Sequence, residues 1–136
     1  MRNKILLVED NSELLELLRL SFKSAGFSTA TAANGLEALN LARSLSPDLV
    51  VLDLMLPELD GLAVCDILRK DPATAAIPVI MLTGLSSQLS RFAGLESGAN
   101  DYLVKPINPT DLVVKVKKLL QNRAKPESIA ATPANP

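Results

Sequence analysis

Four short apolar runs punctuate the chain, and each ends at a residue able to carry a charge or a hydroxyl. Ile5-Leu6-Leu7-Val8 runs into Glu9-Asp10, Leu49-Val50-Val51-Leu52 into Asp53, Val79-Ile80-Met81-Leu82 into Thr83, and Tyr102-Leu103-Val104 into Lys105. Runs of this length and composition predict buried strands. Between them, apolar positions recur at helical spacing. Ser12 predicts the cap of a first helix that gathers Leu14, Leu17, Leu18 and Phe22 on one face and ends near Ala25-Gly26. A weaker strand is expected over 27–32, after which Asn34 caps a second helix to about Leu45, closed by Ser46-Pro47. A third helix is expected from Leu62 to Lys70. Leu89, Phe92, Ala93 and Glu96 suggest a fourth, ending at Gly98, and Leu112, Val113, Val116, Leu119 and Leu120 form the apolar face of a last helix that starts near Pro109.

Five strand–helix units in alternation predict an α/β fold with a central parallel sheet. The first, third and fourth runs lack the alternation of a half-exposed strand, as expected where helices cover both faces of the sheet. Right-handed crossovers then make a doubly wound five-stranded sheet the expected architecture. In such a sheet the strand ends all emerge at one edge. Glu9, Asp10, Asp53, Thr83 and Lys105, far apart in sequence, would meet there.

Composition narrows the function classes. At 136 residues and 48% hydrophobic, the chain suits one compact domain with a sizeable core. A formal net charge of −1 supplies no concentrated basic surface, so direct nucleic-acid binding is not expected. Glu9-Asp10 cuts the first apolar run too short for a signal peptide, and no run approaches the length of a membrane span. A single cysteine, Cys65, fits a reducing cytoplasm and reads as a small buried thiol on the helix face shared with Leu62 and Leu68. There is no histidine, which removes Ser-His-Asp and Cys-His catalysis and the usual zinc sites. From Lys125 onward alanine and proline dominate without apolar periodicity. Residues 1–123 are therefore read as the domain and 124–136 as a flexible tail or the stump of a linker.

The motifs, taken in order, resemble one family. Leu-Val-Glu-Asp-Asn at 7–11, Asp-Leu-Met-Leu-Pro-Glu-Leu-Asp-Gly at 53–61, Thr83-Gly84, Gly-Ala-Asn-Asp-Tyr at 98–102 and Lys105-Pro106 are similar to the receiver domain of bacterial two-component response regulators, over residues 4 to about 122. The resemblance implies a flavodoxin-like strand order of 2-1-3-4-5 and a cis Lys105-Pro106 bond. Departures are mild: Gly84 where alanine is frequent, Asn100 where an acid is frequent, and Ile107, near the expected signalling face, where phenylalanine is frequent.

Physical chemistry and the resemblance point the same way. Carboxylates about 4 Å apart repel by about 4 kcal/mol at an effective dielectric near 20, and a divalent cation relieves this. An all-oxygen set beside a phosphate suits magnesium. The resemblance implies that Asp10, Asp53 and the main-chain carbonyl of Met55 hold the metal, with Glu9 acting largely through water. Asp53 is expected to be the phosphoacceptor, forming an acyl phosphate, while the metal, Lys105 and Thr83 each neutralise one phosphoryl oxygen. With no histidine in the chain, the donor is expected to be a phosphohistidine on a separate sensor kinase or phosphotransfer protein.

The resemblance also implies that Thr83 and Tyr102 form a switch. As the threonine hydroxyl moves toward the phosphoryl group, the ring turns into the space behind it. The relayed change would reach a face made by the fourth helix, the last strand and the last helix, including Lys115 and Lys118, which could dimerise or dock a downstream partner. Met55 and Leu85 border the path of the hydrolytic water in the family. Both are apolar here, so slow dephosphorylation is expected.

Three rival classes compete. A carboxylate-nucleophile phosphatase would want an acid at the position of Met55, and a flavin or nucleotide binder would want glycine and free amides where Glu9-Asp10 stands. A scaffold of the same fold that is never phosphorylated stays open. Taken singly, each site residue has a plainer reading: Asp60-Gly61 and Asn34-Gly35 as caps or turns, Thr83 as a cap, Lys105 as a solvated side chain and Tyr102 as packing.

Overall fold

The computed structural model describes residues 2–123; the expected tail at 124–136 lies outside the described residues. Ten elements alternate along the chain: β1 (Lys4–Val8), α1 (Ser12–Ser24), β2 (Ser28–Ala32), α2 (Gly35–Leu45), β3 (Leu49–Leu52), α3 (Gly61–Lys70), β4 (Val79–Thr83), α4 (Gln88–Glu96), β5 (Asp101–Val104) and α5 (Pro109–Arg123). The strands form one parallel sheet in the order β2-β1-β3-β4-β5. This doubly wound, flavodoxin-like arrangement is the one expected.

Position in the sheet accounts for the sequence pattern. β3 and β4 are buried at every residue and β1 at all but Lys4, whereas the margin strands β2 and β5 are mostly half-exposed. Two apolar layers sandwich the sheet. One joins alternate strand residues such as Leu6, Val50 and Met81 to Leu39 of α2 and to Val64 and Leu68 of α3. The other joins Ile5, Leu49 and Ile80 to Leu18 and Phe22 of α1 and to Leu112 and Val116 of α5. Phe22 meets Phe27 edge to face, with ring centroids 5.5 Å apart.

Local signals fix most helix starts. Asn34 and Asp60 accept from the amides of Glu37 and Ala63 and cap α2 and α3, the plain roles expected of them. The cap of α1 is Asn11 and not Ser12: the Asn11 Oδ1 accepts the Leu14 amide at 2.9 Å, and Ser12 becomes the first helical residue. α1 differs in a second respect. Leu18 and Phe22, one turn apart, define its buried line, and Leu17 falls on the margin of that stripe, 49% exposed.

α4 lies where a fourth helix was expected, and its apolar residues are largely outside the core: Leu89 is 82% and Phe92 64% exposed, and Gly94 is its sole buried residue. α2 and α3 already cover this face of the inner strands, and α4 lies along the β5 margin with little sheet left beneath it. Arg69 fastens the neighbouring turn. Its guanidinium donates to the carbonyls of Gly98 at 3.0 Å and Ile77 at 2.6 Å, and to the Asn100 Oδ1 at 3.0 Å. The same oxygen accepts the Val79 amide at 2.8 Å, so Asn100 acts as a paired acceptor that joins the starts of β4 and β5.

Candidate functional site

Parallel pairing delivers the polar residues to one edge. Val8 and Leu52 are partners in the β1–β3 register, so Glu9-Asp10 and Asp53 leave neighbouring strands at the same level. Two backbone bonds hold that exit: the Glu9 amide donates to the Ala32 carbonyl at 3.0 Å and the Asp53 amide to the Val8 carbonyl at 3.1 Å. On the other flank Thr83 pairs with Val104, and the Lys105 amide donates to the Thr83 carbonyl at 2.8 Å. The Lys105-Pro106 bond is cis, as the resemblance implied.

Carboxylate oxygens of Glu9, Asp10 and Asp53 lie within 4.8 Å of one another. Glu9 and Asp53 are buried, and Asp10 is exposed at the mouth. The Lys105 ammonium bridges the two buried groups, 2.7 Å from the Glu9 Oε1 and 2.8 Å from the Asp53 Oδ2. Both oxygens of Asp53 are thereby engaged, because its Oδ1 accepts the Met55 amide at 3.0 Å. Glu9 has a second partner in the Asn11 amide at 3.1 Å.

Burial and partners pull against each other here. Loss of solvent raises Glu9 above the ordinary carboxylate range, although its bonds to Lys105 and to the Asn11 amide oppose this. Loss of solvent also acts to lower Lys105, but the hydrogen bonds and charges of Asp53 and Glu9 together outweigh it and leave the ammonium raised. The lysine is held as a cation. Three hard oxygen donors in one cleft, one of them open to solvent, fit a divalent ion that keeps part of its water shell.

The other expected residues sit around this cluster. Thr83 is fully buried at the end of β4, and its hydroxyl accepts the Leu85 amide at 3.4 Å. Tyr102 is not in the cluster. Its ring is buried, and its hydroxyl donates to the Leu85 carbonyl at 2.8 Å, so that Leu85 is bonded to both Thr83 and Tyr102. Burial raises the Tyr102 phenol above the ordinary value. Met55 and Leu85 flank the mouth with exposed side chains. Lys115 and Lys118 stand apart on the solvent face of α5, and Cys65 is buried in α3, its thiol raised by that burial and directed at the Ser97 carbonyl at 3.4 Å.

One site residue escaped the sequence reading. Gly61, taken as an ordinary turn residue, is buried against the backbone of Asp53; a β carbon there would lie 2.7 Å from the Leu54 Cα and would collide with the Asp53 carbonyl oxygen. Its amide donates to the Leu54 carbonyl at 2.9 Å. A glycine directly ahead of the helix expected from Leu62, where a better helix former could stand, was the available signal.

The site of this α/β module is thus a buried Asp53 engaged on both oxygens, beside buried Glu9, solvent-open Asp10 and a fixed ammonium. The chain belongs to the response regulator receiver domain family, whose model matches residues 5–117. The DNA-binding response regulator MtrA of Mycolicibacterium paratuberculosis is 44% identical over 121 residues, which cover 89% of this chain and 52% of MtrA. The chain therefore spans about half the length of the curated relatives it matches. Among solved structures, the Francisella response regulator 1452 receiver domain is 35% identical with a TM-score of 0.83, covering 91% of this chain and 100% of that one. A CheY-like receiver domain protein from Methanospirillum hungatei is 28% identical with a TM-score of 0.87, covering 92% and 98%. The chain is a receiver domain of two-component response regulators, for which a phosphorylation switch is the standard role. Among the described residues no helix is long and apolar enough to cross a membrane.

Proposed function

We propose that Asp53 accepts the phosphoryl group. The observation that carries this reading is the Lys105 bridge to Glu9 and Asp53 with Asp10 beside it, since it sets a positive charge and a cluster of three carboxylates around Asp53. Asp53 directly follows β3, the middle strand of the sheet, and is held on both oxygens, which suits in-line attack more than the exposed Asp10 does. An Asp53 oxygen attacks the phosphorus of a phosphohistidine on a partner kinase or phosphotransfer protein. The N–P bond breaks, an O–P bond forms, and the freed imidazole takes its proton from solvent.

Magnesium, held by Glu9, Asp10, Asp53 and the Met55 carbonyl, would neutralise charge on the transferring group. Lys105 supplies a second positive contact and exchanges its bond to Asp53 for one to the phosphoryl oxygen. The Thr83 hydroxyl donates to a third oxygen, and Tyr102 follows it through Leu85. The chain acts as a phosphoacceptor switch and not as an enzyme on other molecules. Met55 and Leu85 offer no hydrogen bond to an attacking water and favour a long-lived acyl phosphate.

The output face in this reading is α4, β5 and α5, with exposed Leu89 and Phe92 alongside Lys115 and Lys118, available for dimer formation or a downstream partner. Direct DNA contact by residues 2–123 is not part of it. In the DNA-binding relatives about half of the protein lies outside the matched region. The cytoplasm, where sensor kinases present their phosphohistidines, is the proposed compartment. Incubation with magnesium and a small acyl phosphate tests the reading: the wild type should gain the mass of one phosphoryl group and Asp53→Asn should gain none. No gain by the wild type from this donor or from a phosphohistidine protein would favour the unphosphorylated scaffold.

A further inference from the structure

α4 touches the body of the domain at very few places. Gly94 is its one buried residue, and what it rests on is the ring of Tyr102. A β carbon at Gly94 would lie 2.7 Å from the Tyr102 Cδ1, 2.9 Å from its Cε1 and 2.8 Å from the Met81 Sδ. The thioether can swing aside, whereas the ring is fully buried with its hydroxyl committed to the Leu85 carbonyl. Gly94 needs no special backbone conformation, because the positive-φ glycines are Gly26 and Gly98. Glycine is among the least favourable residues inside a helix. Space for the ring is the feature that accounts for it.

A second contact clasps the same ring from the helix. The Arg91 guanidinium stands 5.8 Å from the Tyr102 centroid and donates to the Tyr102 carbonyl at 3.1 Å. Gly94 lies nearly one turn beyond Arg91, so both contacts fall on one side of α4.

We infer that Gly94 is a positioning residue of the switch: it seats the Tyr102 ring against α4, so that ring and helix move as one unit and a change at Thr83 is carried to the exposed α4 face. This rests on the reading of Asp53, Thr83 and Tyr102 given above. Filling the seat should expel the ring and uncouple α4 while leaving phosphoryl transfer intact, since Gly94 is not among the residues of the acidic site.

Tyr102 is the only tyrosine and the chain has no tryptophan, so tyrosine emission reports this ring alone. The test measures acrylamide quenching of wild type and Gly94→Ala, each with magnesium alone and with magnesium plus a small acyl phosphate, alongside the mass of the product. The wild type should be protected in the phosphorylated sample. Gly94→Ala should gain the same phosphoryl mass yet show a several-fold higher quenching constant. Equal quenching in the two proteins overturns the seat. Failure of the wild type to gain mass counts against Asp53 as acceptor, and the magnesium-only comparison then still judges the seat.

Should Gly94→Ala prove too unstable to study, its cost is measured by denaturation in a Tyr102→Val background. A cost that largely disappears without the ring supports the seat, and an undiminished one overturns it.

Discussion

Replacing Lys105 by methionine separates the two sources of positive charge on which the site depends. The wild-type ammonium lies 2.7 and 2.8 Å from two buried carboxylates and is itself only 24% exposed. Methionine keeps much of the stem volume and removes the charge. At the separations within 4.8 Å found among the three acids, each carboxylate pair repels by at least about 3 kcal/mol at an effective dielectric near 20. Breaking a buried ion pair from one side costs about 3–5 kcal/mol in general. A loss of roughly 3 kcal/mol for a domain of this size corresponds to a fall in Tm on the order of 10 °C. The measurement is thermal unfolding by circular dichroism in chelator and over a magnesium series. Lys105→Met should melt well below wild type in chelator and gain more from magnesium than wild type does, because the ion no longer shares the cleft with an ammonium. A variant as stable as wild type in chelator, or one with the smaller magnesium increment, would refute the electrostatic account of the site.

Other outcomes follow from the same geometry. Burial raises Glu9, so the folded chain binds its proton more tightly than the unfolded chain, and stability in chelator falls as pH rises from the ordinary carboxylate range through the raised value. Glu9→Gln should flatten that dependence and raise the metal-free Tm at neutral pH while weakening magnesium binding; a lowered Tm there contradicts it. Gly61→Ala forces a β carbon against the Asp53 and Leu54 backbone, and should slow phosphorylation in a stopped-time mass assay, with a loss of about 1–3 kcal/mol in urea unfolding as for other overpacked sites. Met55→Asn places a hydrogen-bonding amide at the mouth of the site and should shorten the lifetime of the phosphorylated protein, read as decay of the phosphoryl mass; an unchanged lifetime counts against the apolar-gate explanation.

The strands and the edge they share were legible because their signal is local and redundant. Apolar runs such as 49–52 cannot be solvated, and the residue that follows each run must emerge at the strand end. Asn34, Asp60 and Gly98 were readable for a similar reason, since each acts within one helical turn. The cap at Asn11 was missed by one position because Asn and Ser are nearly equal as caps, and only the bond to Leu14 distinguishes them. α4 was legible as a helix, but its burial was not. The apolar spacing of Leu89, Phe92 and Ala93 gives the phase of a helix but not how much sheet remains for it to cover. Gly61 and Gly94 carry no side chain to read, and their roles come from what approaches them: the backbone of Asp53 in one case and the ring of Tyr102 in the other. The Arg69 fastening of Gly98, Ile77 and Asn100 is also a product of tertiary proximity, with no sequence spacing to announce it.

The central claim is that one carboxylate, Asp53, takes the phosphoryl group. An acyl phosphate is reduced by borohydride where a free carboxylate is not, which turns a phosphorylated aspartate into homoserine. Protein treated with magnesium and a small acyl phosphate, then reduced and mapped by peptide mass, should carry homoserine at position 53 and nowhere else. Reduction at Asp10 or at another acid, or an unmodified position 53 in protein that has gained phosphoryl mass, would contradict the account.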